Sequence, residues 1–230
     1  MRPITSTLIL ISAASASTAH AELVYSQTLA DLDSTDFGWY SSSEPRPTRN
    51  FKHADNFTLS AQSHISQINW WGMTEGVSHT DLQNFDQFQI EFYTSRTTNN
   101  NRIKPDTLIS SQTFDLASIT TNDTGFQTTS GAFKYQHQAT LTNTVALDAN
   151  TTYWIAISAR SIDPTADTWQ WLDADPTDTD SSSYDYKTDR WLALRDTDSA
   201  FQLFAIPAPA TTSLLLLTPI AARRRRPLTP

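Results

Sequence analysis

Reactive side chains are scattered along this sequence without a pattern that joins them. There is no cysteine, no Gly-x-Ser-x-Gly elbow and no His-Glu-x-x-His pair, so thiol, serine-hydrolase and zincin chemistry have no footing. His53, His64, His79 and His137 lie too far apart for metal-ligand spacing and read as solvent-facing or locally bonded. His53 and Asp55 are two apart and would share a strand face as a dyad, but no nucleophile accompanies them. The 24 acidic residues permit too many carboxylate pairs for glycoside hydrolysis to be assigned to any one. No catalytic residue is named on this basis, and no catalysis is expected; a glycan-active hydrolase is the third reading.

Two constellations suit binding better than catalysis. The chain has 7 tryptophans. Trp169 and Trp171 are two apart, so on a strand they share a face, whereas Trp70 and Trp71 point to opposite faces. A flat exposed ring with polar neighbours is a sugar platform; a buried ring is core, and large aromatics are mostly buried. Core packing is the heavier reading in general. For Trp71 and the pair Trp169/Trp171 the two readings stand about even, and these three are the candidate ligand-binding residues. The second constellation is Asp173, Asp175, Asp178 and Asp180, preceded by Asp163 and Asp167. Hard oxygen ligands in one loop suit calcium, although no glycine or closing glutamate makes it an EF-hand. A solvated acidic loop is the heavier alternative. Asn56, Asn122 and Asn150 begin glycosylation sequons, which a threonine-rich chain produces by chance.

These residues sit between two terminal segments that read as addresses. Met1-Arg2 is a basic start, Ile4 to Ala16 an apolar to small-residue run, and Ala19-His20-Ala21 a small-x-small cleavage site that predicts Glu22 as the first mature residue. At the other end, Ile206-Pro207-Ala208-Pro209-Ala210 forms a proline hinge. An apolar run through Leu214-Leu215-Leu216-Leu217 to Ala222 follows, then Arg223-Arg224-Arg225-Arg226. Fifteen helical residues reach about 22 Å, short of the ~30 Å hydrocarbon core. The arginines would hold the terminus on the cytoplasmic side. This tail resembles a PEP-CTERM sorting signal, with Pro-Ala-Pro where that family has Pro-Glu-Pro. The resemblance implies the export machinery and an exosortase-like enzyme of the bacterial inner membrane as partners. It also implies transient anchoring there, then delivery to the cell surface or extracellular matrix.

Without its terminal segments, the chain keeps 11 of its 16 basic residues and all 24 acidic ones, and 11 − 24 gives −13. Such a domain repels phosphate backbones, so nucleic acid is an unsuitable partner, while divalent cations and neutral polysaccharides remain compatible. Residues 22–205 suffice for one domain with a substantial core. Glycine is scarce at 5, so turns must use Asx and Ser/Thr chemistry.

Strand periodicity dominates that domain. Phe88, Ile90 and Phe92 alternate with Gln87, Gln89 and Glu91, predicting a strand with the aromatic face inward and the polar face outward. Tyr153-Trp154-Ile155-Ala156-Ile157 is apolar on both faces and predicts a central strand. His64 to Gly72 alternates with Ile65 out of phase, which predicts a bulge. Thr80 to Asn84 is the one weak helical segment. Nine to eleven short strands predict an all-β, antiparallel, jelly-roll-like β-sandwich over residues 22–205, flanked by the signal peptide (1–21) and the sorting tail (206–230). The stretches Ala54 to Leu59, Ile68 to Gly72, Phe88 to Tyr93, Leu147 to Ile155 and Ala200 to Leu203 resemble a recurrent sandwich domain of exported PEP-CTERM proteins. The favoured expectation is a structural or adhesive surface protein; the alternative is a carbohydrate-binding module.

Overall fold

A computed structural model describes residues 20–29, 38–44, 51–74, 85–129, 131–162, 169–174, 180–195 and 197–206. The sorting tail beyond Ile206, which is itself the last residue of the final strand, together with Ala19 of the cleavage site and the helical segment expected at Thr80 to Asn84, lies outside these residues. The strands are β1 (Glu22–Gln27), β2 (Gly38–Tyr40), β3 (Phe51–Thr58), β4 (Ser63–Thr74), β5 (Phe85–Thr97), β6 (Ile103–Asp115), β7 (Thr120–Gln127), β8 (Phe133–Leu147), β9 (Thr152–Ser161), β10 (Trp169–Leu172), β11 (Asp180–Asp185), β12 (Arg190–Arg195) and β13 (Phe201–Ile206). They form two antiparallel sheets that pack face to face, an all-β sandwich. The first sheet runs β1-β13-β4-β10-β2, with β8 and then β7 on the other side of β4; the second runs β12-β11-β3-β9-β5-β6. The chain crosses between the sheets repeatedly, which is the jelly-roll-like element of the expectation.

Thirteen strands among the described residues exceed the nine to eleven expected. The two strands that periodicity does not reveal are β7 and β11. β7 is an edge strand of threonine, asparagine and aspartate exposed or half-buried along its length, so no apolar face marks it. β11 carries Ser181-Ser182-Ser183, all buried between β3 and β12, where small residues fill a crowded sheet without announcing it.

The inner faces supply one core. Ile65, Ile68 and Trp70 of β4, Leu141 and Val145 of β8, and Phe201 and Leu203 of β13 face Phe57 of β3, Phe88, Ile90 and Phe92 of β5, and Ile155 and Ile157 of β9. The inward alternation of β5 and the central place of β9, between β3 and β5, are as expected. The bulge at Ile65 is present as a register shift between Ile65 and Gln67 against β8.

The second sheet has a further apolar side. Ala54, Tyr93, Trp154, Ala156 and Trp191 form a smaller cluster, with Ile103 and Tyr184 packed on it. The sheet curls enough for β6 at one edge to approach β11 and β12 at the other. That curl explains why β9 is apolar on both faces: Trp154 is covered from outside as fully as Ile155 is from inside.

Candidate functional site

The residues expected to bind sugar do not form a platform together. Trp169 and Trp171 share a face as their spacing requires, but that face is the core: they are 1% and 0% exposed. Trp169 packs edge-on to Phe88 at 5.2 Å, and its indole lies so close over Gly72 that a β-carbon there would meet Nε1 at 2.1 Å. Trp171 donates from Nε1 to the Ala200 carbonyl at 2.9 Å. Burial of large apolar rings between two sheets outweighs any surface role for this pair. Trp71 is half-buried on the opposite side of β4 from Trp70. Of the histidines expected at the surface or in local bonds, His64 is exposed and His137 is bonded to the Thr121 hydroxyl at 3.0 Å, but His137 and His53 are both buried among core rings, and His79 lies outside the described residues. His53 stacks on Trp39 at 5.3 Å and His137 on Trp70 at 5.4 Å, and burial pushes each imidazole down to about 3, which keeps it neutral. His53 and Asp55 are both fully buried; Asp55 accepts from the backbone N–H groups of Asn56 and Ser199, so it caps backbone.

Of the four carboxylates expected to hold calcium, Asp175 and Asp178 lie outside the described residues, and Asp180 is described in its backbone alone. Asp173 follows β10 directly and forms an isolated bridge to Ser199. Burial, and then the charge of Asp198, raise its carboxyl to about 6 against a lowering hydrogen bond from Trp39. Among the described residues no three His, Cys, Asp or Glu gather as a metal-binding group.

A different site emerges on the curled face of the second sheet. Alternation along β3 sends Lys52, Ala54 and Asn56 to this face, while His53, Asp55 and Phe57 go inward. Lys52 is buried and donates to Glu91 Oε2 at 2.5 Å. Glu91 points away from the sandwich core as its periodicity predicts, yet it is only 5% exposed, because the aromatic cluster covers this side too. Tyr93, two residues on, hydrogen-bonds to Glu91; burial, and then the Glu91 charge, push its hydroxyl well above the usual tyrosine range. The Lys52 ammonium stands 5.9 Å from the ring centroids of both Tyr184 and Tyr186, within cation–π range.

The hairpin of β11 and β12 presents those tyrosines. Its turn is closed by Asp185, which accepts from the Lys187 N–H at 2.9 Å and the Thr188 hydroxyl at 2.8 Å; Asp189 then takes a left-handed backbone at φ 52°. Aspartate does the work that glycine does in other hairpins. Tyr184 donates to Asp189, and that bond is the main reason its hydroxyl is pushed up to about 12. Tyr186 donates to the Ser42 carbonyl at 2.8 Å, and Ser42 is fixed in turn by donating its N–H to Phe51 at 2.9 Å. The rings stand edge to face: Tyr184 to Tyr186 at 5.2 Å, Tyr184 to Trp191 at 5.2 Å, and Tyr93 to Trp191 at 5.4 Å.

Opposite this hairpin stands that of β5 and β6, which contributes Arg96, Pro105, Asp106 and Leu108. Between the two lies a cleft of about 520 Å³, within the ordinary range for small-ligand sites. Arg96 and Asp106 pair across its rim at 3.4 Å, and both are largely in solvent. The raised hydroxyls stay protonated at neutral pH, so Tyr93, Tyr184 and Tyr186 serve as apolar rings with O–H groups and not as bases. Such an arrangement can bind and orient a polyhydroxylated ligand. The sequence does carry its trace in Tyr184-x-Tyr186 beside Trp191 and in the phase of Lys52 and Tyr93; Lys52, Tyr184 and Trp191 meet by strand pairing, but Tyr93 joins them at Trp191 only when the sheet curls.

A family model described as Domain of unknown function (DUF7901) matches residues 23–205. No curated protein matches the chain.

Proposed function

We propose that this chain, which belongs to the DUF7901 family, is an exported, non-catalytic adhesive protein that holds a saccharide in the cleft between its β5–β6 and β11–β12 hairpins. The observation that carries this reading is the cleft itself. Rings of Tyr184, Tyr186 and Trp191 are locked edge to face beside paired charges. A pyranose offers a C–H face that packs on an aromatic ring and a rim of hydroxyls that bond to carboxylates, guanidinium groups and phenols. Both halves are present in one concavity. The export reading rests on the two terminal segments of the sequence, with cell-surface delivery as its expected end.

Retention of the full-length protein on a panel of immobilised polysaccharides, with Tyr186→Ala and Trp191→Ala alongside, tests the site. At least one polysaccharide should retain the wild type, with each variant bound about three- to tenfold more weakly, since one stacked ring is worth about 0.5–1.5 kcal/mol. No retention on neutral or acidic glycans would overturn the reading. Material recovered from the cell surface should, by intact mass, lack Leu214 to Leu217.

A further inference from the structure

We infer that the ligand of this cleft is an anionic polysaccharide, held through carboxylate or sulfate groups by an arginine-lysine track that leads from β12 across to the β5–β6 turn. The inference rests on the saccharide reading above and narrows it to one chemical class.

Charge is sorted on this molecule. The domain is strongly acidic, at 11 − 24 = −13 between the terminal segments. The cleft reverses that balance. Lys52, Arg96 and Arg190 line it, against Asp106 and Asp189. A neighbouring hollow of about 370 Å³ shares Arg96 and adds Lys104, together with Thr97, Thr98, Asn99 and Asn100 and no acid. The two hollows together hold four cations and two anions, 4 − 2 = +2. Glu91 beneath Lys52 reduces this to +1, still opposite in sign to the domain.

The four cations are not equally committed. Lys52 is buried and matched to Glu91. Arg96 is paired with Asp106, but at 3.4 Å and with side chains 52% and 40% exposed, a weak pair that a ligand can replace. Arg190 and Lys104 form no ion pair among the described residues. Asp189, the acid nearest Arg190 in sequence, accepts from Tyr184. A neutral sugar gives these cations nothing to neutralise. A carboxylate or sulfate suits the planar fork of Arg96 and Arg190, which can donate two parallel hydrogen bonds to it. The remaining acidic surface does not override the track, because at physiological ionic strength charges beyond about 8 Å are largely screened. The polar run Thr97 to Asn100 along the second hollow gives further hydroxyl and amide groups to a chain that continues past the aromatic cleft.

The experiment is affinity electrophoresis of the full-length protein in gels carrying polygalacturonate (carboxylate), dextran sulfate (sulfate) or neutral dextran and xylan, repeated with Arg190→Gln, Lys104→Gln and Arg96→Gln. These side chains lie at the surface, and a thermal melt checks that each variant folds. Polygalacturonate or dextran sulfate should retard the wild type more than the neutral polymers do, and the stronger of the two identifies the anionic group. Each variant should weaken that binding about two- to fivefold, as expected for single exposed ionic contacts, and 0.5 M salt should weaken it further. Neutral polymers binding as well as the anionic ones overturn this inference while leaving the saccharide reading intact. Binding to none overturns both. Equal retardation by a single-stranded oligonucleotide, or anionic binding that survives all three substitutions and Tyr186→Ala, also overturns it, because the contact is then an unselective one elsewhere.

Discussion

Inside the sandwich, Trp70 stands edge-on to Phe88 at 5.3 Å; on the curled outer face, Trp191 stands edge-on to Tyr93 at 5.4 Å. The ring geometry is nearly the same, and the surroundings differ. Around Trp70 the neighbours are Phe88, His137 and aliphatic side chains from both sheets, and burial holds the His137 imidazole neutral. Around Trp191 they are tyrosines with protonated hydroxyls, a buried ion pair and the open mouth of a cleft. An aromatic cluster closed on all sides by apolar groups can only stabilise. One that keeps polar groups along its edge can also recognise, at a cost in how much burial each ring provides.

The largest difference should appear on truncating the rings. Trp70→Ala leaves a void between two sheets that cannot collapse, and is expected to cost about 3–5 kcal/mol in urea denaturation. Trp191→Ala opens onto a cleft that water can fill, and should cost roughly half as much. Equal losses would mean that the two clusters form one cooperative core. The next effect is on acid stability. His53 and His137 have folded-state values near 3, against about 6.5 when unfolded. Below pH 6.5 the unfolded chain therefore takes up protons that the folded one refuses, and stability falls by about 1.4 kcal/mol per pH unit for each histidine. At pH 5 the pair should account for roughly 4 kcal/mol of lost stability. His53→Phe with His137→Phe, followed by denaturation between pH 7 and 5, should flatten that slope; an unchanged slope would place the acid sensitivity elsewhere. The smallest effect is at Asp173, whose carboxyl is raised to about 6. Its ionised form opposes folding above the unfolded value near 3.9, fully so above pH 6, and the penalty disappears as pH falls below 4. Asp173→Asn should therefore stabilise the protein at pH 7, on the order of 1 kcal/mol after allowing for residual solvent, and not at pH 3.5.

Periodicity succeeds where one face of a strand is wholly apolar. Phe88, Ile90 and Phe92 place β5 correctly because nothing competes with their burial, and Tyr153 to Ile157 reads as central because both its sides are covered. It fails on β11, where the buried Ser181 to Ser183 look like a loop, and on β7, where both faces are wet. Spacing also fixes that Trp169 and Trp171 share a face, but not whether the face looks inward or outward. That depends on which strands flank β10, which no local pattern encodes. The cleft has no local pattern of its own. Lys52, Tyr184 and Trp191 lie opposite one another on the neighbouring strands β3, β11 and β12, but Tyr93 of β5 reaches Trp191 only through sheet curvature. The carboxylates of Asp173 to Asp180 are dense in sequence, a property that says nothing of their direction in space.

The pairing of β1 with β13 has a mechanical consequence. Glu22 lies opposite Ala205 and Gln27 opposite Phe201, so the domain's first and last strands run side by side in opposite directions. On its other edge β13 is bonded to β4 from Phe201 to Ile206. A pull along β13 toward its C-terminal end runs perpendicular to both ladders of hydrogen bonds, so the bonds on both edges share the strain together. A pull that separates the domain's two ends instead peels β1 from β13 one bond at a time. Force applied along β13 at its C-terminal end therefore loads the strand in its strong direction, and the time the domain survives such tension is set by its rate of forced unfolding and not by its equilibrium stability.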